Sequence, residues 1–277
     1  MSVTNPQDPE LIGPAELAAY HQDGFHIARG LFSADEVAAC RHYFDEFAAR
    51  GEAVPGHWEP TAGASDSADP LTRYPRVIHP HMFDEASRDR LIDARLQRML
   101  RVLLDDEPLA VQTMYYYKPP GARGQAFHQD NFYLRVKPQS CIAAWIAIDP
   151  SFPENGGLQV VPGSHDLDVA CPDYADPEVS FTRDFVAPTR EPVKLHLEPG
   201  DTLFFNGSVI HGSDPNSTAE VWRRSFICHY MPTAATHIAK WYLPHAIDFD
   251  GNPIAREHNG DGGPCGEDDT DHGGQYH

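Results

Sequence analysis

The chain has 277 residues, 41% of them hydrophobic and 22% charged, which is enough to bury a sizeable core. This composition excludes an intrinsically disordered or fibrous protein. The formal net charge of −20 comes from 21 Lys and Arg against 41 Asp and Glu, so we expect no binding to nucleic acid and none to an anionic membrane. Residues 248–277 contribute −7 of that charge, with eight acids and one base, and we expect them to form an acidic, Gly-rich, mobile tail.

The five cysteines are widely spaced and include no Cys-x-x-Cys pair. Neither a disulfide framework nor a zinc ribbon is therefore indicated, and a reducing, cytoplasmic location is expected. The first 14 residues contain no apolar run, and no later window approaches 18 uncharged apolar residues. We therefore expect neither a signal peptide nor a membrane-spanning helix.

The N-terminal part, from about residue 12 to 104, has the periodicity of helices. Ser33 and Glu36 have the spacing of a capping box, and the helix that follows is expected to end near Gly51. Its apolar face consists of Val37, Cys40, Phe44 and Phe47. A second helical run is predicted over residues 84–104, with an apolar face made of Leu91, Met99, Leu100 and Leu103.

After Pro108 the pattern changes to short aromatic and β-branched segments separated by Pro and Gly. Eight strands are predicted, over residues 109–118, 125–135, 141–149, 157–161, 193–198, 202–205, 207–211 and 224–231. This arrangement favours a β-sandwich or jelly roll with its core at about 109–235, inside one domain that covers residues 1–247. The segment 166–191 between strands holds seven acids and three prolines, and we expect it to be a lid.

Sixteen histidines make metal motifs easy to find by chance, so backbone geometry has to separate them. Residues i and i+2 lie on the same side of a strand but far apart around a helix, so only an extended His-x-acid pair can close on one ion. Four such pairs occur: His21 with Asp23, His57 with Glu59, His128 with Asp130, and His196 with Glu198. The first lies in a short helix, the second in a loop, and the fourth in a hairpin close to the next histidine of a strand.

His128 and Asp130 lie in a predicted strand, and His211 follows 83 residues later at the end of another. Two histidines and one carboxylate on one side of an ion leave the opposite side open, the arrangement of non-haem Fe(II) oxygenases. The residues therefore predict a catalytic metal site.

An arginine inside a β-barrel needs an anionic partner, and the planar guanidinium group suits a carboxylate. Arg223 and Arg224 follow His211 in an extended stretch. Neighbouring residues of a strand point in opposite directions, so one of them at most can bind the far carboxylate of a metal-chelating keto acid. The spacing leaves open which one does so, and also whether both form surface ion pairs.

Several motifs in order resemble the phytanoyl-CoA dioxygenase family of Fe(II)- and 2-oxoglutarate-dependent oxygenases. The resemblance covers about residues 15–235. Its motifs are Asp23-Gly-Phe, Gly30-Leu-Phe-Ser-Ala-Asp-Glu36, Met114-Tyr-Tyr-Tyr-Lys-Pro-Pro, His128-Gln-Asp130, Ala144-Trp145, Glu154-Asn-Gly-Gly-Leu, Val161-Pro-Gly-Ser-His165, Gly200-Asp-Thr-Leu-Phe-Phe, and Ile210-His-Gly-Ser213 through Arg223.

The resemblance implies a mainly β fold, a cupin-like double-stranded β-helix or jelly roll with flanking N-terminal helices. It assigns iron binding to His128, Asp130 and His211. It assigns 2-oxoglutarate binding to Arg223, Ser213, Trp145, Met114 and, across variable loops, Arg76. For Trp145 and Met114 a role in the barrel core is the alternative, and Arg223 is chosen over Arg224 because the segment Cys228-His229-Tyr230 then falls in register.

The same resemblance implies Fe(II), 2-oxoglutarate and O2 as cofactor and cosubstrates, with release of succinate and CO2. Halogenating relatives lack the carboxylate that Asp130 supplies, so hydroxylation of an unactivated C–H bond is expected. Two alternatives stay open. The same iron site is compatible with desaturation, cyclisation or epimerisation, and a jelly-roll protein that binds metal without catalysis belongs to another class.

The net charge argues against the family's acyl-CoA type of substrate, because a CoA thioester is itself strongly anionic. We therefore expect a small or medium-sized metabolite, neutral or cationic, as the partner. Five side chains are candidates for its pocket: Tyr117, Gln125, Asn131, Phe132 and Asn206. No pattern in the sequence indicates the oligomeric state.

Overall fold

The computed structural model describes residues 11–61, 69–138 and 140–259. Within them the α-helices are α1 (Pro14–Asp23), α2 (Ala34–Arg50), α3 (Glu85–Leu91), α4 (Ala94–Leu104) and α5 (Asp130–Leu134). The strands are β1 (Phe25–Ala28), β2 (Val77–Ile78), β3 (Pro108–Tyr116), β4 (Gln125–His128), β5 (Ile142–Ala147), β6 (Leu158–Val160), β7 (Asp173–Tyr174), β8 (Asp184–Phe185), β9 (Val193–Lys194), β10 (Thr202–Asn206), β11 (His211–Ser213), β12 (Ser225–Pro232), β13 (His237–Ala239) and β14 (Glu257–Asn259).

Two antiparallel sheets face each other. The larger has six strands in the order β1-β10-β5-β12-β3-β2, and the smaller has four in the order β4-β11-β6-β9. Apolar side chains from both sheets, such as Trp145 and Leu203 from the larger and Leu158 and Val160 from the smaller, form one cluster between them. This two-sheet barrel confirms the predicted jelly roll.

The eight predicted strand segments each overlap a strand, but three are wrong in extent. The segment 193–198 is a strand only at Val193–Lys194. The segment 125–135 is extended only to His128, after which α5 begins at Asp130 and ends at Arg135, whose φ is 53°. Residues 207–210 form a turn rather than a strand, because the Asn206 side-chain oxygen accepts the Ser208 N–H at 2.9 Å. The strand itself starts at His211.

The predicted capping box is present at the start of α2. The Ser33 hydroxyl accepts the Glu36 N–H at 3.3 Å, and the Glu36 carboxylate accepts the Ser33 N–H at 2.7 Å. The helix ends at Gly51, in the left-handed region with φ 67°. The run predicted over 84–104 forms two helices instead of one, since Asp93 caps a new helix by accepting the Arg95 N–H at 2.8 Å.

The helices cover the outer face of the six-stranded sheet. Phe44 of α2 stacks on Tyr115 of β3 with a centroid distance of 3.9 Å. Along β12 the side chains alternate, as the period of a strand requires. Phe226, Cys228 and Tyr230 belong to the helix-side cluster, whereas Ile227 and His229 face the space between the sheets.

The segment 166–191 contains the β7–β8 hairpin and lies alongside β4. Gly124 donates its N–H to Val179 O at 2.7 Å and accepts the Phe181 N–H at 3.0 Å. The described part of the expected tail, residues 248–259, also folds back, because β14 pairs with β13 in parallel. The rest of that tail, residues 260–277, lies outside the described residues.

Cys40, Cys141 and Cys228 are buried free thiols. Cys171 is disulfide-bonded, which the cysteine spacing did not indicate. Within the described ranges, no helix combines the length and the apolar character needed to cross a membrane.

Candidate active site

Two neighbouring strands of the smaller sheet bring the predicted metal ligands together. His128, the last residue of β4, lies directly opposite His211, the first residue of β11. Gln129 keeps an extended backbone, with φ −122° and ψ 123°, before the helical turn of α5 begins. Asp130 therefore stays on the same side of the chain as His128, as the i, i+2 argument required.

The three side chains are buried and converge. His128, Asp130 and His211 are 3%, 4% and 4% exposed. The Oδ1 atom of Asp130 lies 3.4 Å from His128 Nε2 and 3.5 Å from His211 Nε2. Among the described residues, this is the one group of three or more His, Cys, Asp or Glu whose ligand atoms all lie within 4.8 Å of one another.

Backbone carbonyls fix the histidine tautomers. The Nδ1 of His128 lies 2.8 Å from Ala126 O, and that of His211 lies 2.9 Å from Val209 O. A carbonyl oxygen only accepts, so both Nδ1 atoms carry hydrogen and both Nε2 atoms present a lone pair. Burial lowers the pKa of His211 to about 4, which keeps its ring neutral at neutral pH.

Asp130 Oδ1 and the two Nε2 atoms thus bring three lone pairs together, an arrangement that is repulsive until a cation lies between them. Two neutral imidazoles and one carboxylate are the donor set that Fe(II) oxygenases use, with positions left open for other ligands. The residues present therefore fit a non-haem iron ion.

His229 orients the carboxylate of this set. Its Nε2 lies 3.0 Å from Asp130 Oδ2 and donates to it, which leaves Oδ1 facing the two other histidines. Burial raises the pKa of Asp130, but the neighbouring histidines outweigh it, His211 and His229 first and then His128, and hold that pKa well below its ordinary value. Asp130 is therefore ionised and presents one oxygen to the metal position.

Sequence reasoning missed His229, which had served only to set the register of the Arg223 assignment. The signal for it was the alternation along β12, because residue 229 shares the parity of residue 223 and lies on the same face.

The triad forms part of the wall of a cavity between the two sheets. The lining consists of Met114, Tyr116, Gln125, His128, Asp130, Trp145, Leu158, Phe205, His211, Ser213, Arg223, Ile227 and His229.

Arg223 lies in the wall of this cavity and is 4% exposed. Its Nε and one terminal nitrogen donate to Gly156 O at 3.2 and 3.1 Å, and the other terminal nitrogen donates to Ser225 Oγ at 3.3 Å. Three of its five N–H groups are thus used, all by neutral oxygens. One N–H on each terminal nitrogen has no partner among the described residues, and these two form the fork that fits a carboxylate.

Arg224 points to the opposite side of the sheet. Its guanidinium group bonds the Asp149 carboxylate at 2.8 Å and the Asp45 carboxylate at 3.0 Å. As strand alternation requires, the two arginines point to opposite sides of the sheet. Arg223 lies at the cavity and Arg224 belongs to an ion-pair network.

Three further predicted residues line the cavity. Trp145 lies beneath the Arg223 guanidinium group, whose central carbon is 5.5 Å from the centroid of the Trp145 ring. Met114 accepts the Tyr116 hydroxyl through its sulfur at 3.7 Å, and Ser213 occupies the end of β11.

Arg76 is the exception, since it does not belong to the cavity lining. It precedes β2 at the sheet edge and lies over the Phe181 ring at 5.7 Å. Arg76 is predicted to approach 2-oxoglutarate, but the structure does not place it in the cavity wall. Phe181 in turn packs near Tyr116 with a centroid distance of 6.3 Å, so the segment 166–191 reaches the cavity border.

Of the five side chains expected in a substrate pocket, only Gln125 lines the cavity, with its Nε2 3.2 Å from His128 Nε2. Tyr117 packs in the core and donates its hydroxyl to Phe44 O at 2.6 Å. Asn131 and Asn206 bond nearby backbone N–H groups. Phe132 is buried against Tyr133.

Residues 20–225 match the family "Phytanoyl-CoA dioxygenase (PhyH)". The chain belongs to this family. The assignment confirms the prediction of a non-haem iron- and 2-oxoglutarate-dependent oxygenase, and the His-Asp-His group fits an iron site. A family member from mouse, "Phytanoyl-CoA dioxygenase domain-containing protein 1", is 26% identical over 271 residues, which cover 81% of this chain and 92% of the mouse protein.

Solved structures share the fold of this family member. The epimerase SnoN in complex with Fe3+, alpha ketoglutarate and nogalamycin RO has a TM-score of 0.64 at 22% identity, covering 90% of this chain and 95% of its own. The alpha ketoglutarate dependent carbocyclase SnoK from nogalamycin biosynthesis has a TM-score of 0.63 at 19% identity, covering 89% and 94%. Both confirm the jelly roll.

Proposed function

We propose that this family member hydroxylates an unactivated C–H bond of a small or medium-sized metabolite, with Fe(II) held by His128, Asp130 and His211. One observation carries the proposal. A group of lone-pair donors lines the same cavity as a buried arginine that has no carboxylate partner among the described residues. When bound, iron and 2-oxoglutarate supply the oxidising chemistry, in which the keto acid is converted to succinate and CO2 as O2 is consumed.

The protein contributes ligands of defined protonation. Ala126 O and Val209 O hold the histidine tautomers, and His229 holds Asp130 Oδ2, so none of the three ligands has to reorganise before a metal ion binds. Such preorganisation supports the assignment of these side chains as the iron ligands.

Arg223 would bind the distal carboxylate of 2-oxoglutarate through its two remaining N–H groups, with Ser213 as a further hydroxyl partner. Trp145 would form one wall of this end of the cavity, and Met114 part of the lining. Because Arg223 is buried, water competes weakly for its N–H groups, and a carboxylate gains more from them than it would at the surface.

Hydroxylation is proposed because Asp130 occupies the position at which halogenating relatives bind chloride instead. A second candidate is desaturation, cyclisation or epimerisation, which is favoured by the likeness to one epimerase and one carbocyclase of the same fold. The third possibility, a binding protein without catalysis, is not retained, because the family consists of dioxygenases.

The proposed substrate is neutral or cationic and is not a CoA thioester. The segment 166–191 has seven acids and two bases. Backbone hydrogen bonds to Gly124 and the packing of Phe181 near Tyr116 hold it beside the cavity. Arg123 lies nearby, but its charge is paired with the Asp69 carboxylate at 2.7 Å. An anionic CoA group would therefore meet an unfavourable field at this border.

The test is a screen of 2-oxoglutarate turnover against a metabolite library, followed by mass spectrometry of the product. A substrate-dependent release of succinate with a gain of one oxygen atom is the expected result. A loss of two hydrogens or an unchanged mass would support the second candidate, and tight binding with turnover of a CoA thioester would contradict the proposed substrate class. No succinate with any substrate, together with no 2-oxoglutarate binding, would contradict the function itself.

A further inference from the structure

Lys118 is a second buried basic side chain close to Arg223, and the site described above does not use it. It is 3% exposed, and its N–H groups lie within bonding distance of three oxygens, none of which is a carboxylate. Its Nζ lies 2.9 Å from Ser213 Oγ, 3.1 Å from Gly156 O and 2.5 Å from Asp214 O. An ammonium group has three N–H donors, so these contacts saturate it.

Ser213 has a complete set of acceptor contacts. Its Oγ faces Lys118 Nζ at 2.9 Å and accepts the Gln125 backbone N–H at 3.3 Å. A hydroxyl oxygen has two lone pairs and one hydrogen. If both nitrogens donate, the Ser213 O–H has to donate elsewhere, and no acceptor for it is found among the described residues. Ser213 lines the cavity, so its hydrogen is directed there.

We propose that Lys118 is a positioning residue for the cosubstrate carboxylate: as an ammonium group it donates to Ser213 Oγ and thereby forces the Ser213 O–H to donate into the cavity beside Arg223. This inference rests on the proposed function, because it assumes that a carboxylate binds at Arg223. It makes the far end of the cavity a surface of N–H and O–H donors, which rejects a neutral or cationic chain end.

The Gly156 carbonyl oxygen contacts both basic side chains. Its carbonyl accepts from Lys118 Nζ and also from Arg223 Nε and a terminal nitrogen. Its φ is 71°, and a Cβ atom there would lie 2.6 Å from both Cε and Nζ of Lys118. Glycine at this position in Glu154-Asn-Gly-Gly therefore leaves the space that the Lys118 side chain occupies.

The competing arrangement has the opposite consequence. A neutral Lys118 amine would accept the Ser213 O–H and donate only to the two carbonyl oxygens. Ser213 would then offer no hydrogen to a ligand. In that case removal of the lysine would release the hydroxyl and strengthen carboxylate binding, so the sign of one measurement separates the two arrangements.

The experiment compares two keto acids on the Fe(II)-loaded protein without oxygen, by calorimetry. 2-Oxoglutarate carries the distal carboxylate, and 2-oxopentanoate has the same chain length without it. For Lys118→Met we expect the Kd of 2-oxoglutarate to rise by at least about tenfold, the range for a lost hydrogen bond to a charged group, with less than about twofold change for 2-oxopentanoate. Ser213→Ala should give a similar selective loss, and the double variant little more than either.

Iron affinity and the thermal transition of each variant serve as controls for folding. If Lys118→Met does not fold, Lys118→Gln retains N–H donors for the carbonyl oxygens and is measured in the same way, with the same selective loss expected. Unchanged or tighter 2-oxoglutarate binding in the folded variant would overturn the inference, as would equal weakening of both keto acids. A wild-type protein that binds both keto acids equally would instead contradict the proposed function.

Discussion

The two ends of the cavity have opposite chemistry. At the metal end, His128, Asp130 and His211 present only lone pairs and one negative charge. At the other end, Arg223 and Lys118 are buried basic side chains whose hydrogen-bond partners are neutral oxygens. A molecule that chelates a metal at one end and carries a carboxylate at the other satisfies both ends in one orientation. The polarity of the cavity, more than its volume, therefore selects the cosubstrate.

Removing the metal end should have the largest effect. Asp130→Ala leaves two histidines and no charge to balance a divalent cation, so iron binding and succinate formation should both fall by more than the roughly 10- to 100-fold typical of a lost outer partner. Metal content and turnover measure this, and the thermal transition checks the fold. Full activity in this variant would refute the ligand assignment.

Arg223→Ala should damage the opposite end and spare the metal. Truncating one partner of a buried charge pair costs about 2–5 kcal/mol, so the KM for 2-oxoglutarate should rise by at least about 30-fold. Iron affinity should stay within about twofold of wild type. Arg224→Ala is the matched control, because its ion pairs with Asp149 and Asp45 lie outside the cavity. A larger effect of Arg224→Ala on the KM would show that Arg223 is not the arginine that binds the cosubstrate carboxylate.

His229→Phe tests whether the metal end needs its orienting partner. The variant keeps a ring in the buried position but leaves Asp130 Oδ2 without its donor, so iron affinity should fall by about 10- to 100-fold. Cys228→Ala, the next residue on β12 but on its helix-side face, should lower stability without changing iron affinity. Equal iron affinity in both variants would show that Asp130 is held in another way.

The smallest expected effect is that of acid pH on stability, which acts through His211 at the metal end and not through Arg223. The pKa of His211 is about 4 in the fold, whereas an unfolded histidine titrates near 6.5. The unfolded state therefore binds the proton more readily, and this contribution to stability is complete above pH 6.5 and is lost as the pH falls toward 4. For the metal-free protein the loss is on the order of 3 kcal/mol, measurable by denaturant titration.

His211→Asn removes this titrating group, so its stability should depend less steeply on pH over the same range. Arg223 does not contribute there, because its pKa, although lowered by burial, is still about 10. An identical pH slope in His211→Asn would assign the acid sensitivity to other buried histidines, such as His81, whose pKa burial also lowers to about 4.

The jelly roll and the metal group were predictable because both follow from chain periodicity. Segments of alternating character gave the strands, and the i, i+2 rule together with a distant strand histidine selected His128, Asp130 and His211. The exact end of the strand at His128 was not predictable, because it depends on a local helical turn at Asp130.

What the sequence did not yield are contacts between elements distant along the chain. Lys118 meets Ser213 across 95 residues and His229 meets Asp130 across 99 residues, and no spacing rule reaches that far. The role of Arg76 stays a prediction for the same reason, since its assignment crosses loops of variable length. The choice between Arg223 and Arg224 required knowing which face of the sheet carries the helices.

The strand β12 determines more than the direction of its side chains. The Arg223 N–H donates to Lys118 O at 3.0 Å, which continues the β12–β3 ladder past Ser225. Arg223 and the His229 partner of Asp130 thus lie on one backbone segment that is held in register by the same neighbouring strand. A change that shifted the β12–β3 register would therefore move the carboxylate end and the metal end of the cavity together.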